Sequence, residues 1–296
     1  MIRILTISSL LLAGAVSAFA ATPDAIDQFV SGFATPTRLT GKIARWDAGV
    51  CPIVLGQQPD FVNYISQRVK AVAAQADAPV NNDAACTPNV EIIFTRMPQD
   101  LLNDIRDHHS DFLGYTENGD ERKQMATVTR PLQAWYATQT VDHRGATRID
   151  AARRPGEGVP LPCFTCTGRA VGPTEYLSDA TFSSWNGSRI NEGVHSSFHH
   201  VLIVADVNKL KGYEAGPLAD YIAMLALTQI ISLDVCQPLP SITTMMGKGC
   251  EAKTGKLSET DLAYLRGLYA MNPERLRFVS QKGSIADSMK QALAGH

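Results

Sequence analysis

The sequence predicts an α+β domain in which helices pack against a mixed sheet and disulfides staple the chain. Strand and helix patterns alternate over residues 51–112, which favours two parallel strands joined by a right-handed crossover. The apolar run at residues 199–208 is the strongest strand pattern and leads into an apolar helix. Six cysteines, an even number, follow an export signal. These three observations define the predicted fold class.

The first twenty residues have the pattern of a secretory signal peptide. Arg3 supplies a positive charge, ILTISSLLLAGAV forms a short apolar core, and SAFA is a small-x-small cleavage site that ends at Ala20. We therefore predict cleavage near Ala20 and a periplasmic or secreted protein. Residues 21–40 are predicted to be a polar lead-in, and residues 41–296 a single α+β domain.

The composition excludes two classes of partner. The formal net charge is −2 and no basic stripe is present, so we predict no nucleic-acid partner. No stretch after the signal reaches the roughly 18 uncharged apolar residues of a spanning helix, so we predict no permanent membrane span. A hydrophobic content of 45% is ordinary for a globular protein with a buried core.

The first half of the domain is predicted to contain two strand–helix units. The strands are CPIVLG (51–56) and NVEIIFTR (89–96), and an amphipathic helix follows each. The inner face of the first helix is predicted to hold Phe61, Ile65, Arg68 or Val69, Val72 and Ala76. The inner face of the second is predicted to hold Leu101, Ile105, His108 and Phe112, with His109 at its C-terminal end.

The second half is less regular. A strand is predicted at residues 130–142 and a Pro/Gly-rich excursion at residues 153–173. The strand at 199–208 leads into a helix over 216–234, where Asp220 complements the helix dipole near the N-terminus. Two further helices are predicted, one that opens with the capping box Ser258–Asp261 and one over residues 283–293.

Six cysteines allow 15 disulfide connectivities, and the spacing alone does not select one. We predict local pairing, because each local pair brackets one supersecondary unit. The predicted bonds are Cys51–Cys86, Cys163–Cys166 and Cys236–Cys250. Cys163 and Cys166 form a Cys-x-x-Cys pair, for which redox chemistry and metal binding stay open as alternatives. No helix starts there to lower a thiol pKa, so a structural disulfide is favoured.

A zinc-hydrolase motif is absent from the predicted helix at residues 216–234. Such a motif needs two histidines one helical turn apart with a glutamate between them, and the chain has AMLAL in that register. The sequence also lacks a Gly-x-Ser-x-Gly motif, a phosphate loop and a dinucleotide fingerprint. We therefore predict no catalytic residue, no metal ligand and no cofactor.

The segment HSSFHH (195–200) is the weaker alternative for a metal site. The apolar run after it predicts a turn entering a strand, whereas a shared metal requires a helix. In an extended chain His195 and His199 lie about 13 Å apart, at about 3.3 Å per residue. Zinc–nitrogen bonds are near 2 Å, so structural roles are favoured for His195, His199 and His200.

Three residues are candidates for ligand binding. Arg189 has a guanidinium that can bind an anion bidentately, or pair with a carboxylate of the fold. Trp135 and Trp185 can line a cleft, although core packing is the more common use of tryptophan.

An ordered series of segments resembles an uncharacterised family of exported alphaproteobacterial proteins. The segments are RWDAGVCPIVLG, CTPNVEIIF, PLQAWY, SRI, VLIVADVNKLKGYEAGPLADYIAMLALTQ and LSETDLAYLRGLY. Their order is also similar to that of zincin metallopeptidases, in which a strand precedes the metal-binding helix. This resemblance implies a degenerate zincin-like fold from which the HExxH motif is lost.

The sequence therefore favours an exported, non-catalytic protein that binds an unknown peptide or protein partner, in other words a pseudoenzyme. Fold analogy alone carries the binding role. One alternative is a hydrolase in which His195, His199 or His200 acts with Asp206. The other is a thiol–disulfide protein that uses Cys163 and Cys166.

Overall fold

The computed structural model describes residues 21–150, 176–177, 193–230, 233, 235–250, 253–275 and 277–294. Within these ranges the helices are α1 (Pro23–Phe33), α2 (Pro59–Gln75), α3 (Pro98–His108), α4 (Gly119–Met125), α5 (Ala215–Leu227), α6 (Glu259–Ala270) and α7 (Phe278–Leu293). The strands are β1 (Pro52–Leu55), β2 (Val90–Thr95), β3 (Leu132–Asp142), β4 (Thr147–Asp150), β5 (Tyr176–Leu177) and β6 (Val194–Asp206). Short 3₁₀ turns lie at Ser110–Leu113 and Ile242–Met246.

The described strands form one mixed sheet in the order β1-β2-β6-β3-β4-β5. Strands β1, β2 and β6 are parallel, while β3 is antiparallel to both β6 and β4. The predicted α+β class with a mixed sheet and packed helices is confirmed. The predicted parallel pair β1–β2, joined through α2, is also confirmed.

The sheet carries a separate apolar cluster on each face. The larger cluster contains buried side chains from α1, α2, α5, α6 and α7, and the smaller one contains side chains from α3 and the turn at Ser110–Leu113. Strand β6 contributes side chains to both clusters, because successive side chains of a strand point to opposite faces of the sheet. Val201 and Ile203 belong to the larger cluster, and Leu202 and Val204 to the smaller one.

Helix α5 lies in the larger cluster, and every residue from Leu218 to Leu227 is buried. The helix is shorter than the predicted 216–234, because Thr228 leaves the helical conformation with φ −149° and ψ 141°. Ile230 then pairs with Ala34 in an isolated antiparallel bridge. The predicted continuation to residue 234 is therefore wrong, since the chain turns away to contact the end of α1.

Aromatic donors bind the C-terminal carbonyl groups of α5. Trp46 Nε1 donates to the carbonyl oxygen of Ala226 at 2.8 Å, and Tyr269 Oη donates to that of Leu227 at 2.9 Å. The hydroxyl of Tyr136 lies 2.9 Å from the Leu225 carbonyl oxygen and 3.1 Å from that of Thr228. These groups satisfy carbonyls that lack partners at every helix end. Burial raises the pKa of both tyrosines, so each keeps the proton that it donates.

Asp220 anchors the first half of α5 to two other segments. Its carboxylate accepts a hydrogen bond from Arg68 Nε of α2 at 2.5 Å and one from the backbone amide of Leu257 at 2.7 Å. The role is therefore a tertiary ion pair in addition to the predicted dipole interaction. Removing one partner of such a buried carboxylate strongly destabilises the folded protein.

Several local features differ from the sequence prediction. Residues 21–40 contain helix α1, whose Ile26, Phe29, Val30 and Phe33 are buried in the larger cluster, and the prediction of a polar lead-in did not identify this helix. Leu102 takes the buried position of α3 beside Ile105, while the His108 side chain is 66% exposed, so its predicted inward orientation is wrong. The Ser258–Asp261 capping box is confirmed.

The disulfides Cys51–Cys86 and Cys236–Cys250 are both present, as the local pairing predicts. Cys163 and Cys166 lie outside the described residues, and so does the predicted excursion at 153–173. Cys51–Cys86 joins the start of β1 to the segment before β2. Cys236–Cys250 closes the connection between α5 and α6.

Replacing Tyr269 with phenylalanine should lower the free energy of unfolding by about 1–3 kcal/mol, because the buried carbonyl of Leu227 loses its donor. Urea unfolding followed by circular dichroism measures the change. The matched control is Tyr64→Phe, since the Tyr64 side chain is 44% exposed. Equal stability of the two variants would contradict the capping role.

Replacing both Cys236 and Cys250 with serine should lower the unfolding free energy by about 3 kcal/mol in the chain-entropy model. The corresponding Cys51 and Cys86 variant should lose about 4 kcal/mol, because its sequence separation is 35 rather than 14 residues. Guanidinium unfolding of both double variants tests this order. A loss below about 1 kcal/mol in either would argue against the disulfide as a constraint on the unfolded chain.

Candidate functional site

The histidines of HSSFHH lie within β6, not in a turn that precedes it. The strand begins at Val194, five residues before the predicted start, and it pairs with β3 throughout. The register shifts where Ala137 pairs with His200 and Thr138 pairs with Phe198, which leaves His199 as a bulge residue. The predicted turn at 195–200 is therefore wrong, because β3 extends the sheet to residue 142 and supplies partners for the whole segment.

His195 contacts an extended segment that continues the sheet beside the first half of β6. Arg45 forms a parallel bridge with Ser197, and Asp47 Oδ2 lies 2.7 Å from His195 Nε2. Arg45 Nη1 donates to the carbonyl oxygens of Tyr269, at 2.5 Å, and Met271, at 2.9 Å, so it caps the end of α6. Desolvation lowers the Arg45 pKa, and neighbouring Asp47 opposes this effect.

His200 faces a different, buried acid. Its Nε2 lies 3.7 Å from Glu91 Oε1 on β2, and both side chains are less than 10% exposed. The ring also meets Phe112 edge to face, with centroids 4.5 Å apart. Both ring nitrogens of His200 and one oxygen of Glu91 have no hydrogen-bond partner among the described residues. His200 and Glu91 therefore face each other in a buried contact beside the Phe112 ring.

His199 is the histidine whose titration is most altered. Burial, and in second place the neighbouring His200, lowers its pKa to about 4. It is therefore neutral near pH 7 and carries no charge that could bind an anion.

The residues of the hydrolase hypothesis are not brought together. Asp206 ends β6, eleven residues after His195, which corresponds to about 36 Å along a strand. Its carboxylate accepts from the backbone amide of Asn208 and pairs with Lys209 at 3.5 Å. No group of three or more metal-binding side chains is present in the part of the chain that the structure describes.

The candidate ligand-binding residues divide into one core residue and two that lie beyond the described ranges. Trp135 is 3% exposed, lies in the smaller cluster and donates from Nε1 to the Met125 carbonyl oxygen at 2.8 Å. It lines no cleft among the described residues, so core packing accounts for it. Trp185 and Arg189 lie outside the described residues.

An open cleft lies where the parallel strands β1, β2 and β6 end. The loop after β1 leads to α2, which packs in the larger cluster, and the loop after β2 leads to α3, which packs in the smaller one. The two loops therefore leave the sheet towards opposite faces. In open α/β sheets such diverging loops create a crevice at the carboxyl ends of the strands, where ligands bind.

We name this region the carboxyl-end cleft. It has a volume of about 400 Å³ and is lined by Gly56, Gln57, Gln58, Phe94, Arg96 and Val207. Volumes of roughly 300–1,000 Å³ are typical of small-molecule sites. The lining combines two amide side chains and one guanidinium with a floor made by Phe94, which Phe61 supports edge to face at 5.4 Å.

Gly56 shapes the wall of the carboxyl-end cleft. Its φ is +84°, and a Cβ at this position would collide with the carbonyl oxygen of Phe94. A side chain there would push the start of the loop after β1 away from the end of β2. In the sequence, Gly56 marks the end of the predicted strand CPIVLG, and a glycine directly after the first strand of a β-α-β unit is also a signal for a close backbone approach.

Acidification should destabilise the protein through His199. Its pKa is about 4 in the folded state, whereas an unperturbed histidine side chain has a pKa of 6.5. Between these values the unfolded chain binds more protons, so stability is present above pH 6.5 and falls as the pH drops to 4, by on the order of 2–3 kcal/mol. Chemical unfolding across this range should show the slope in the wild type and in His108→Gln, whose side chain is exposed, but a reduced slope in His199→Gln.

Among the described residues, no helix combines the length and apolar character needed to cross a bilayer. Comparison of the chain with protein-family models, curated proteins and solved structures gives no significant match. The resemblances drawn from the sequence segments therefore stay predictions, and the function is inferred from the geometry of the chain itself.

Proposed function

We propose that this chain is an exported, non-catalytic binding protein and that the carboxyl-end cleft is its binding site. The observation that carries the proposal is the divergence of the loops after β1 and β2 around a cleft of about 400 Å³. Ligands of open α/β sheets bind at this position because neither loop covers the strand ends there. Export rests on the N-terminal signal pattern, and two disulfides fit an oxidising compartment.

The non-catalytic part of the proposal rests on what the polar groups contact. Asp220 binds Arg68 and the amide of Leu257, and Asp206 caps the turn after β6. His195 and His200 face different acids, on different neighbouring segments. Within the described ranges, no nucleophile, base and orienting acid meet in an open site, which is the arrangement that nucleophilic catalysis requires.

The degenerate zincin-like layout stays part of this proposal. Helix α5 follows the long strand β6, as the metal-binding helix follows a strand in the resembled proteins, and its corresponding positions are apolar. A peptide could not bind by adding to β6, because β2 pairs with one edge of that strand and β3 with the other. We therefore assign binding to the carboxyl-end cleft and not to a strand beside α5.

The test is a ligand screen on the exported, untagged protein and on two variants. Val207→Trp fills the cleft, whereas Val279→Trp adds the same bulk on the 71% exposed position of α7. A ligand present at about 100 times its Kd stabilises a protein by about 2.7 kcal/mol. We expect hits that raise the Tm of the wild type and of Val279→Trp but not of Val207→Trp.

Two outcomes would overturn the proposal. One is a set of hits that stabilises Val207→Trp as much as the wild type, because the ligands would then bind elsewhere. The other is near-stoichiometric zinc that survives dialysis, measured by mass spectrometry, together with hydrolysis of a peptide library. That result would support the hydrolase hypothesis instead, and His195, His199 and His200 would then be the residues to mutate.

A further inference from the structure

We infer that the carboxyl-end cleft takes a small ligand with an anionic group, a carboxylate or a phosphate ester. This inference rests on the proposed function, since it names the chemistry of the ligand that the cleft would bind. It follows from the cation in the lining, from the polar amide groups beside that cation and from the absence of acids among the described residues of the lining.

Arg96 is the only charged residue among those that line the cleft. Its side chain forms no hydrogen bond and no ion pair with any residue that the structure describes, although its backbone carbonyl accepts from Asn208 Nδ2 at 3.0 Å. This hydrogen bond from Asn208 holds the backbone of Arg96 against the loop after β6. A guanidinium presented on a fixed backbone, without a carboxylate partner, can bind carboxylate or phosphate oxygens bidentately.

The acidic residues near the cleft do not neutralise Arg96. Asp60 and Asp100 lie in the first turns of α2 and α3, where a negative charge complements the helix dipole, and neither lines the cleft. Asp206 is engaged by the amide of Asn208 and by Lys209. The positive charge of Arg96 is therefore available to an incoming anion.

The remaining lining residues expose little apolar surface to a ligand. Phe94 is 5% exposed and forms the floor, and Val207 is half-buried at the side. Met97 follows Arg96 directly and is 63% exposed, but it does not line the cleft. Gln57 and Gln58 add amide groups that can hydrogen-bond a neutral part of the ligand.

Three six-carbon probes of similar apolar size isolate the contribution of the anionic group. Hexanoate and hexyl phosphate carry the two anions, and hexanamide is the neutral analogue of hexanoate. Isothermal titration gives the affinity, and amide resonances of the cleft residues in ¹⁵N spectra give the location, with Gly56 as the reporter. We expect both anions to shift these resonances and at least one to bind about tenfold more tightly than hexanamide, since charged hydrogen bonds contribute more than neutral ones.

The variants Arg96→Gln and Lys209→Gln test the named cation. Arg96→Gln should reduce the affinity for the anion about tenfold, to the level of hexanamide. Lys209→Gln removes a nearby charge that already pairs with Asp206, and the affinity should change less than about twofold. Tighter binding of hexyl phosphate would assign a phosphate ester, and tighter binding of hexanoate would assign a carboxylate.

The failures of this inference and of the proposed function are distinguishable. If hexanamide binds in the cleft as tightly as both anions, or if Arg96→Gln keeps the affinity of the wild type, the inference of an anionic ligand is overturned while the binding role of the cleft stands. If none of the three probes shifts a cleft resonance at millimolar concentration, the inference is overturned as well. The proposed function then depends on the separate ligand screen with Val207→Trp.

Discussion

The fold depends on hydrogen-bond donors for the carbonyl groups at the buried C-terminal end of α5. A helix end leaves carbonyl groups without partners, and burial in the larger cluster separates those of α5 from water. Trp46, Tyr136 and Tyr269 donate to these carbonyls from the extended segment beside β6, from β3 and from α6. The burial of α5 therefore relies on three parts of the chain that are far apart in sequence.

Other buried polar groups join elements in the same way. Asp220 ties α5 to α2 and to the segment before α6, and Arg45 binds the last carbonyls of α6. Asp261 accepts from Ser241 Oγ and from the amide of Ile242, so the capping box of α6 also holds the 3₁₀ turn. A polar group inside a protein has to be paired, and pairing across elements fixes their relative positions. Asp220, Arg45 and Asp261 thus serve the architecture.

The same topology that buries α5 leaves the strand ends open. Because α2 and α3 cover opposite faces of the sheet, no described element lies across the carboxyl ends of β1 and β2. Gly56 permits the chain after β1 to pass close to the backbone of Phe94 in β2, and Arg96 lines the cleft without a carboxylate partner among the described residues. The binding function that we propose for this position requires no catalytic group.

The sequence alone determined the elements whose patterns are local. Alternation and helical spacing identified β1, α2, β2 and α6, and an even number of cysteines after a signal pattern indicated disulfides, two of which are present. Only the tertiary structure decided where α5 ends, that α1 belongs to the core, and that His195 and His200 face different acids. These features depend on contacts between distant residues, which periodicity does not contain. The cleft belongs to this second group, because two loops diverge only after their helices have packed on opposite faces of the sheet.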